Sequence, residues 1–147
     1  MSQVFEEALV AQLRGIANLT AYVGTSIYKS YIPQTHDLGA QGPALVYSVP
    51  TKPMGHVLTG SDGTAVATAQ IDLWSYSYAT AKRAVEALWH GLDFAPATWG
   101  DGTVQIMSVV QQNESDLPQE PQAATDQWTY LISCEYRVQY RVSFPVL

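Results

Sequence analysis

The sequence has little cysteine, few basic residues and no long apolar run, and each scarcity excludes a class of protein. Only one cysteine, Cys134, occurs in 147 residues, so an internal disulfide is excluded, and its place in an alternating segment predicts a small core side chain. No apolar run approaches the ~20 residues of a membrane-spanning helix, and the N-terminus lacks the layout of a secretory signal. These absences predict a soluble protein made in the cytosol, with no membrane partner.

Positive charge is scarce, with 7 Lys and Arg against 13 Asp and Glu and a net charge of −6. Between the consecutive basic residues Arg83 and Arg137 lie Glu86, Asp93, Asp101, Glu114, Asp116, Glu120, Asp126 and Glu135. Such a surface repels phosphate, so high-affinity binding of DNA or RNA is not expected. DNA could still pass along such an acidic surface without binding to it. The alternative is a solvated acidic face that aids solubility and needs no partner.

Motifs for catalysis, metal binding and cofactor binding are absent. The sequence contains no His-Glu-x-x-His, no paired cysteines, no phosphate-binding glycine loop followed by Lys, and no Gly-x-Ser-x-Gly. His36, His56 and His90 are predicted on two loops and a helix end. We therefore predict no catalytic, metal-binding or cofactor-binding residues and no bound cofactor. An enzyme is the weaker hypothesis, because carboxylates distant in sequence can still meet in space.

The stretch from Ala65 to Leu92 predicts a strand that leads directly into an amphipathic helix. Apolar and polar residues alternate from Ala67 to Leu73, the period of a strand with one buried face. The apolar spacing then becomes helical from Ala81 to Leu92, and Ser77 is a candidate N-cap. The predicted buried residues are Ala67, Ala69, Ile71, Leu73, Ala81, Ala84, Val85, Leu88 and Leu92.

The remaining patterns predict a first helix from Gln3 to Ile16 and strands at 44–49, 103–111 and 128–142. The last strand would reach nearly 50 Å at about 3.3 Å per residue, so it either bends or projects to pair with another chain. Hairpin-length connections favour antiparallel pairing. The predicted fold is α+β, an antiparallel sheet of about four strands with two helices packed on one face, in a single domain spanning 1–147.

Two extended loops are predicted, at 50–64 and 112–126. The first has the length of a long hairpin or flap, and its apolar residues Met54, Val57 and Leu58 either fold back on the sheet edge or dock on a neighbour. The second is polar, acidic and contains two prolines, which predicts an exposed loop. Deleting residues 114–122 is therefore expected to leave a folded protein.

The order and spacing of several short segments resemble the small tail-completion or tail-terminator proteins of long-tailed bacteriophages, prophages and gene transfer agents. The resemblance covers nearly the whole chain. The segments that carry it are Leu19–Gly24, Ile27–Tyr28, Ile32–Gln34, Pro43–Tyr47, Gln70–Ser75, the helix with Ala81 and Val85, and Tyr136–Val138.

The resemblance implies a structural virion protein that is assembled in the host bacterial cytoplasm. Such proteins form a ring, commonly a homo-hexamer, that terminates the head-proximal end of the tail tube and joins the tail to the neck or head connector. The implied partners are the tail tube protein and a neck or head-completion protein, with DNA passing through the lumen without specific binding. The alternatives are another neck or tube ring component of the same particle, or an enzymatic or small-ligand-binding domain.

Two groups of residues are predicted to contact partners. Trp74 and Tyr76 share the alternation phase of Asp72, opposite to the buried Leu73, so they face either a partner or an overlying loop. The predicted subunit or partner interface comprises Met54, His56, Val57, Leu58, Trp74, Tyr76, Arg137 and Arg141. The predicted lumen-facing or neck-facing acidic loop carries Glu114, Asp116, Glu120 and Asp126.

Overall fold

The computed structural model describes residues 4–33, 36, 38, 41–51, 54–57, 60–92, 97–100, 102, 104–119 and 128–142, with the backbone alone described at 51, 54–57, 60–64, 97 and 142. These ranges contain three helices and seven strands. In chain order the elements are α1 (Phe5–Gly15), α2 (Ala17–Val23), β1 (Ile27–Lys29), β2 (Ala44–Thr51), β3 (Met54–Val57), β4 (Gly60–Ser75), α3 (Tyr78–Leu92), β5 (Ala97–Trp99), β6 (Val104–Gln119) and β7 (Thr129–Val142).

The strands form one curled, mixed sheet. Six of them lie side by side in the order β1-β2-β4-β7-β6-β5, and β3 pairs with the first part of β4. Strands β1 and β2 are parallel, whereas the other neighbours are antiparallel. The long strands β4, β6 and β7 therefore form the middle of the sheet, and the short β1 and β5 lie at its two sides.

The prediction of an antiparallel sheet of about four strands with two helices is wrong. The described chain has three helices, and its sheet is mixed because β1 runs parallel to β2. Strands β1 and β5 have 3 residues each, too few for alternation to be visible in the sequence. Ile16 adopts an extended conformation, with φ −84° and ψ 97°, and this residue separates α1 from α2.

The prediction of a loop at 112–126 is wrong for residues 112–119, which belong to β6. This strand pairs with β7 along its whole length, from Val104 opposite Val142 to Gln119 opposite Thr129. Its register shifts between Ile106 and Ser108 and again between Gln111 and Asn113. Each shift breaks the alternation, and the second half of β6 is exposed and polar on both faces, so no pattern of apolar residues marks it.

Strand β7 lies between two long partners. It pairs with β4 from Tyr130 to Arg141 and with β6 from Thr129 to Val142, and each of these neighbours has 16 residues. Its predicted length is correct, but it leaves no unpaired edge for another chain. Among the described strands, the long edge without a partner belongs to β6 beyond Ile106, because β5 pairs only with Val104 to Ile106.

The prediction of an extended loop at 50–64 also needs correction. Strand β2 continues to Thr51, and β3 pairs back on β4 with Met54 opposite Ala65 and Val57 opposite Gly60. This segment is therefore a β-hairpin that extends the sheet beyond β2. The sequence interpretation of a long hairpin or flap in place of a tight turn does not foresee β3, which is separated from β4 by only two residues, with Val57 opposite Gly60.

The helices pack on one face of the sheet, and the buried faces of α1, α3 and β4 are confirmed. In α3 the buried residues are Ala81, Ala84, Val85, Leu88 and Leu92; in α1 they include Phe5, Ala8, Leu9 and Leu13; in β4 they include Ala67, Ala69, Ile71 and Leu73. The Ser77 hydroxyl accepts a hydrogen bond from the Thr80 N–H at 3.3 Å, which confirms the predicted N-cap.

Two contacts fix α1 against the rest of the core. The Phe5 ring stacks on Tyr140 of β7 with a centroid distance of 4.5 Å. At the other end of the helix, the Gln12 Nε2 donates to the Gly91 carbonyl at 3.2 Å. Gly91 has no side chain where α3 approaches Ile16, and a Cβ there would lie 2.5 Å from the Ile16 Cδ1, closer than packed carbons approach.

Cys134 is fully buried in β7, as predicted for a core residue. Burial raises the pKa of its thiol to about 12, and the Glu114 carboxylate adds to this effect. The thiol is therefore protonated at neutral pH, which makes it a poor nucleophile and a poor metal ligand.

Candidate functional site

The described helices pack on one face of the sheet, and the opposite face carries no described helix. Residues of β4 and β7 in the outward phase point to this face, including Gln70, Trp74, Glu135 and Arg137. We call it the helix-free face. Alternation along β4 and β7 places polar and charged side chains here while their neighbours fill the core, so this face is available to a partner.

At one end of the helix-free face the side chains enclose a groove of about 780 Å³. The segment after β1 forms one wall and the ends of β4, β6 and β7 form the floor and the opposite wall. The lining residues are Ser30, Tyr31, Ile32, His36, Leu38, Val46, Asp72, Trp74, Tyr76, Gln119 and Thr129. The groove is thus mixed in character, with aromatic and aliphatic walls around a few polar groups, as ligand and partner sites commonly are.

Hydrogen bonds hold the wall after β1 in place. The His36 Nδ1 lies 3.0 Å from the Tyr28 hydroxyl, and its Nε2 lies 3.0 Å from the Gly42 carbonyl. A carbonyl can only accept, so Nε2 carries a proton and donates to Gly42. Ser30 adopts φ 68°, an uncommon conformation for a residue with a side chain, and its N–H donates to the Tyr47 carbonyl at 2.9 Å. His36 is therefore a structural residue of this wall.

Asp72 is the charged side chain among the groove's described lining residues. Its Oδ1 is buried and has no hydrogen-bond partner among the residues that the structure describes. A buried carboxylate oxygen without a partner costs free energy, because it loses its hydration and gains nothing in exchange. Trp74 is partly buried beside it, and Tyr31 and Tyr76 are exposed by 73% and 37%.

A second polar cluster joins α3 to β6 on the opposite face. The Lys82 Nζ lies 2.8 Å from the Glu114 Oε2 and 2.8 Å from the Asp116 Oδ1, and the Tyr78 hydroxyl donates to the Asp116 Oδ2 at 2.6 Å. Hydrogen bonds from Lys82 and then Tyr78 lower the pKa of Asp116, and the bond to Asp116 raises the pKa of Tyr78. Lys82 thus balances part of the acidic charge of β6.

Among the described residues, no group of three or more His, Cys, Asp or Glu side chains is placed to hold a metal ion. No described helix is long and apolar enough to cross a membrane.

The sequence matches the family of the tail completion protein gp17 over residues 7–138. This chain belongs to the tail completion protein gp17 family. The resemblance inferred from the sequence is therefore confirmed, and the chain is a structural protein of the virion, located in the tail or neck. It assembles there with other tail or neck proteins.

A solved structure entitled "Virion of native gene transfer agent (GTA) particle" contains a chain with the same fold. The TM-score is 0.65 and the sequence identity is 20%, and the match covers 93% of this chain and 94% of that chain. At 20% identity this similarity shows that the two chains share a fold and shows nothing more. No curated protein matches the sequence.

In this tail-completion fold, the predicted interface residues lie in three separate places. Trp74 and Tyr76 line the groove. Arg137 and Arg141 lie on the helix-free face, opposite Thr68 and Thr64 of β4. Trp74 lies opposite Leu131. Arg137 is therefore roughly 20 Å from Leu131 along β7, at about 3.3 Å per residue. The backbone of Met54, His56 and Val57 forms β3, and Leu58 lies outside the described residues.

The four predicted acidic residues do not form one described loop either. Glu114 and Asp116 lie in β6 and bind Lys82, so they do not belong to a loop. Glu120 and Asp126 lie outside the described residues. Sequence reasoning placed Asp72 on the same face as Trp74 without singling it out, and it missed Tyr31 and His36 as lining residues of the same groove. For Asp72 a signal was present, since it is the one charged residue in the outward phase of β4 between Val66 and Trp74.

Replacing Lys82 with glutamine is expected to lower the free energy of unfolding by about 0.5–1 kcal/mol, the size of an exposed ion pair. The effect should shrink at high salt. The pKa of Asp116 is lowered in the folded state, so this stabilisation is present above the ordinary carboxylate pKa and is lost as the pH falls through the lowered value. Urea unfolding at several pH values measures both.

Arg83→Gln is the matched control for this ion pair. Arg83 is the exposed neighbour of Lys82 on α3, and no ion pair joins it to any other described residue. Its replacement should change the free energy of unfolding by less than about 0.5 kcal/mol. Equal losses for the two variants would show that Lys82 acts through net charge and not through Glu114 and Asp116.

Proposed function

We propose that this chain forms a closed ring, a homo-hexamer, at the head-proximal end of the tail tube, where it ends tube growth and joins the tail to the neck. The observation that carries the proposal is the family match over residues 7–138. The role is structural and not enzymatic. DNA passes through the ring, and the net charge of −6 is consistent with passage without adhesion, because like charges repel.

A cyclic ring requires heterologous contacts, so each subunit must present two different complementary surfaces. The sheet supplies candidates at its two sides. One is the unpaired edge of β6 from Met107 to Gln119, and the other is the side of β1 with the β3–β4 hairpin.

The β6 edge carries two register shifts, the carboxylates of Glu114 and Asp116, and Pro118. Bulges, charges and proline are the features by which natural edge strands avoid uncontrolled pairing. We therefore assign the main ring contact to the hairpin at Met54, His56 and Val57, together with Arg137 and Arg141 beside it on the helix-free face.

Removal of the gene from its phage, prophage or gene transfer agent tests this function. We expect tails of widely varying length and heads that carry no tail, because nothing ends tube growth or joins the two parts. Uniform tail lengths with unjoined heads would instead assign the chain to another neck component. Particles with joined tails of normal length would overturn the proposal.

A further inference from the structure

We propose that the groove on the helix-free face binds an arginine or lysine side chain of a different tail or neck protein, with Asp72 as the counter-charge. The inference rests on the proposed function in one respect, namely that the chain meets other tail proteins. It goes further by naming the site and the chemistry of the group that enters it.

Asp72 has a carboxylate oxygen without a hydrogen-bond partner among the described residues, and this is the first observation that points to a positive ligand. This oxygen, Oδ1, is buried, and no described lysine or arginine lines the groove. His36 cannot serve as the counter-charge, because its two ring nitrogens already bond to Tyr28 and Gly42. The Asp72 side chain as a whole is partly exposed and lines the groove, so a positive group that enters from outside the chain can pair with this carboxylate, and charged partners form the stronger hydrogen bonds.

The second argument is the composition of the walls. Trp74, Tyr31 and Tyr76 line the same groove as Asp72, and aromatic faces attract ammonium and guanidinium groups. Ile32 and Leu38 offer aliphatic surface to the methylene stem that such a side chain carries. Among the described lining residues, a phosphate would find no lysine or arginine and a metal ion would find one carboxylate. The groove therefore fits a cation on an aliphatic stem.

The charge of the chain indicates which protein supplies that side chain. The net charge of −6 attracts a basic partner at long range, and the exposed arginines of this chain, Arg137 and Arg141, are already assigned to the ring contact. A different protein with an exposed basic segment is thus the better occupant. The expected contact combines a buried charge pair with aromatic packing, the composition of many interface hot spots.

The test uses the full chain and two short peptides, acetyl-Gly-Arg-Gly-amide and the same peptide with citrulline, which keeps the shape of arginine but has no charge. Binding is followed by the NMR shifts of the Trp74 indole N–H. We expect the arginine peptide to bind with a dissociation constant on the order of millimolar and the citrulline peptide at least about tenfold more weakly.

Asp72→Asn should remove this preference for arginine. Glu135→Gln is the matched control, because it removes one carboxylate from the same face at a position that does not line the groove, and it should keep the preference. Asp72→Asn keeps the size and shape of the side chain and should leave the melting temperature of the free chain nearly unchanged, whereas a clear drop would show that Asp72 acts through structural contacts within the chain and would count against the inference.

Three results would overturn the inference: equal binding of the two peptides, retention of the preference in Asp72→Asn, or self-association of the wild-type chain that Asp72→Asn abolishes. The last result would make a second copy the occupant. None of these results depends on tail length or head joining. Failure of this inference is therefore distinguishable from failure of the proposed function, which the gene-removal experiment decides.

Discussion

Replacing Phe5 with alanine is expected to lower the free energy of unfolding by about 3–5 kcal/mol, the usual cost of deleting a buried aromatic ring. Phe5 is 2% exposed. Its ring stacks on Tyr140 with an interplanar angle of 20° and lies 6.0 Å from the Trp99 ring. It thereby joins the start of α1 to β5 and β7, so its loss leaves a cavity and weakens the attachment of the helix to the sheet.

Val4→Ala is the control for this variant, because Val4 precedes Phe5 and is 53% exposed. It should cost less than about 0.5 kcal/mol. Urea unfolding followed by tryptophan fluorescence measures both variants, and Trp99 reports directly on the cluster. A loss below about 1 kcal/mol for Phe5→Ala would mean that α1 does not pack on β5 and β7 as described.

Deleting residues 114–122 is expected to abolish cooperative folding, contrary to the expectation from the sequence alone, because residues 114–119 belong to β6. Residues 114–119 pair with Thr129 to Cys134 of β7, so the deletion removes six of the fourteen residue pairs between β6 and β7 and both partners of Lys82. The five residues left before Trp128 join it to Asn113 through six Cα–Cα steps and reach at most about 22 Å when fully extended. They would have to span roughly 23 Å along β7, from the residue opposite Asn113 to Trp128, at about 3.3 Å per residue.

The control keeps the strand and changes its surface. Ser115→Thr combined with Leu117→Thr alters two outward positions, of which Leu117 is 48% exposed, and threonine suits a strand. This variant should unfold cooperatively with near-normal stability, as measured by circular dichroism during heating. A deletion variant that melts as sharply as the wild type would support a loop at 114–122 and contradict the β6 pairing.

The sequence was sufficient to locate the elements that have one buried and one exposed face. Helix α3, the buried side of β4 and the length of β7 could be predicted because a period of 3.6 or 2 persists over many residues. The buried residues of α3 were identified from the spacing between Ala81 and Leu92, and the Ser77 cap from its chemistry.

Other elements could not be predicted, and the reasons are physical. Strands of 3 residues such as β1 and β5 are too short to display a period. The second half of β6 has no buried face, because beyond β5 it has one neighbouring strand and its residues are exposed or partly exposed. Its position is fixed by backbone pairing with β7, which local sequence does not encode.

The groove was predictable only in part. The outward phase of Trp74 indicated a contact surface, but the wall after β1 is set by Tyr28, His36 and Gly42. The parallel pairing of β1 with β2 places this wall, including His36, along the same groove as Trp74, and that pairing is a long-range feature. The family resemblance depended on the order of many short segments, and the family match over residues 7–138 confirms it.

The position and copy number of the chain on the tail test directly whether it forms a ring of six at the end of the tube. Purified tail tubes are incubated with the full chain carrying a small electron-dense label, then imaged and analysed by native mass spectrometry. We expect one labelled ring of six copies at a single end of each tube, even where the free chain is monomeric. Label along the whole tube, label at both ends, or no label at either end would contradict it.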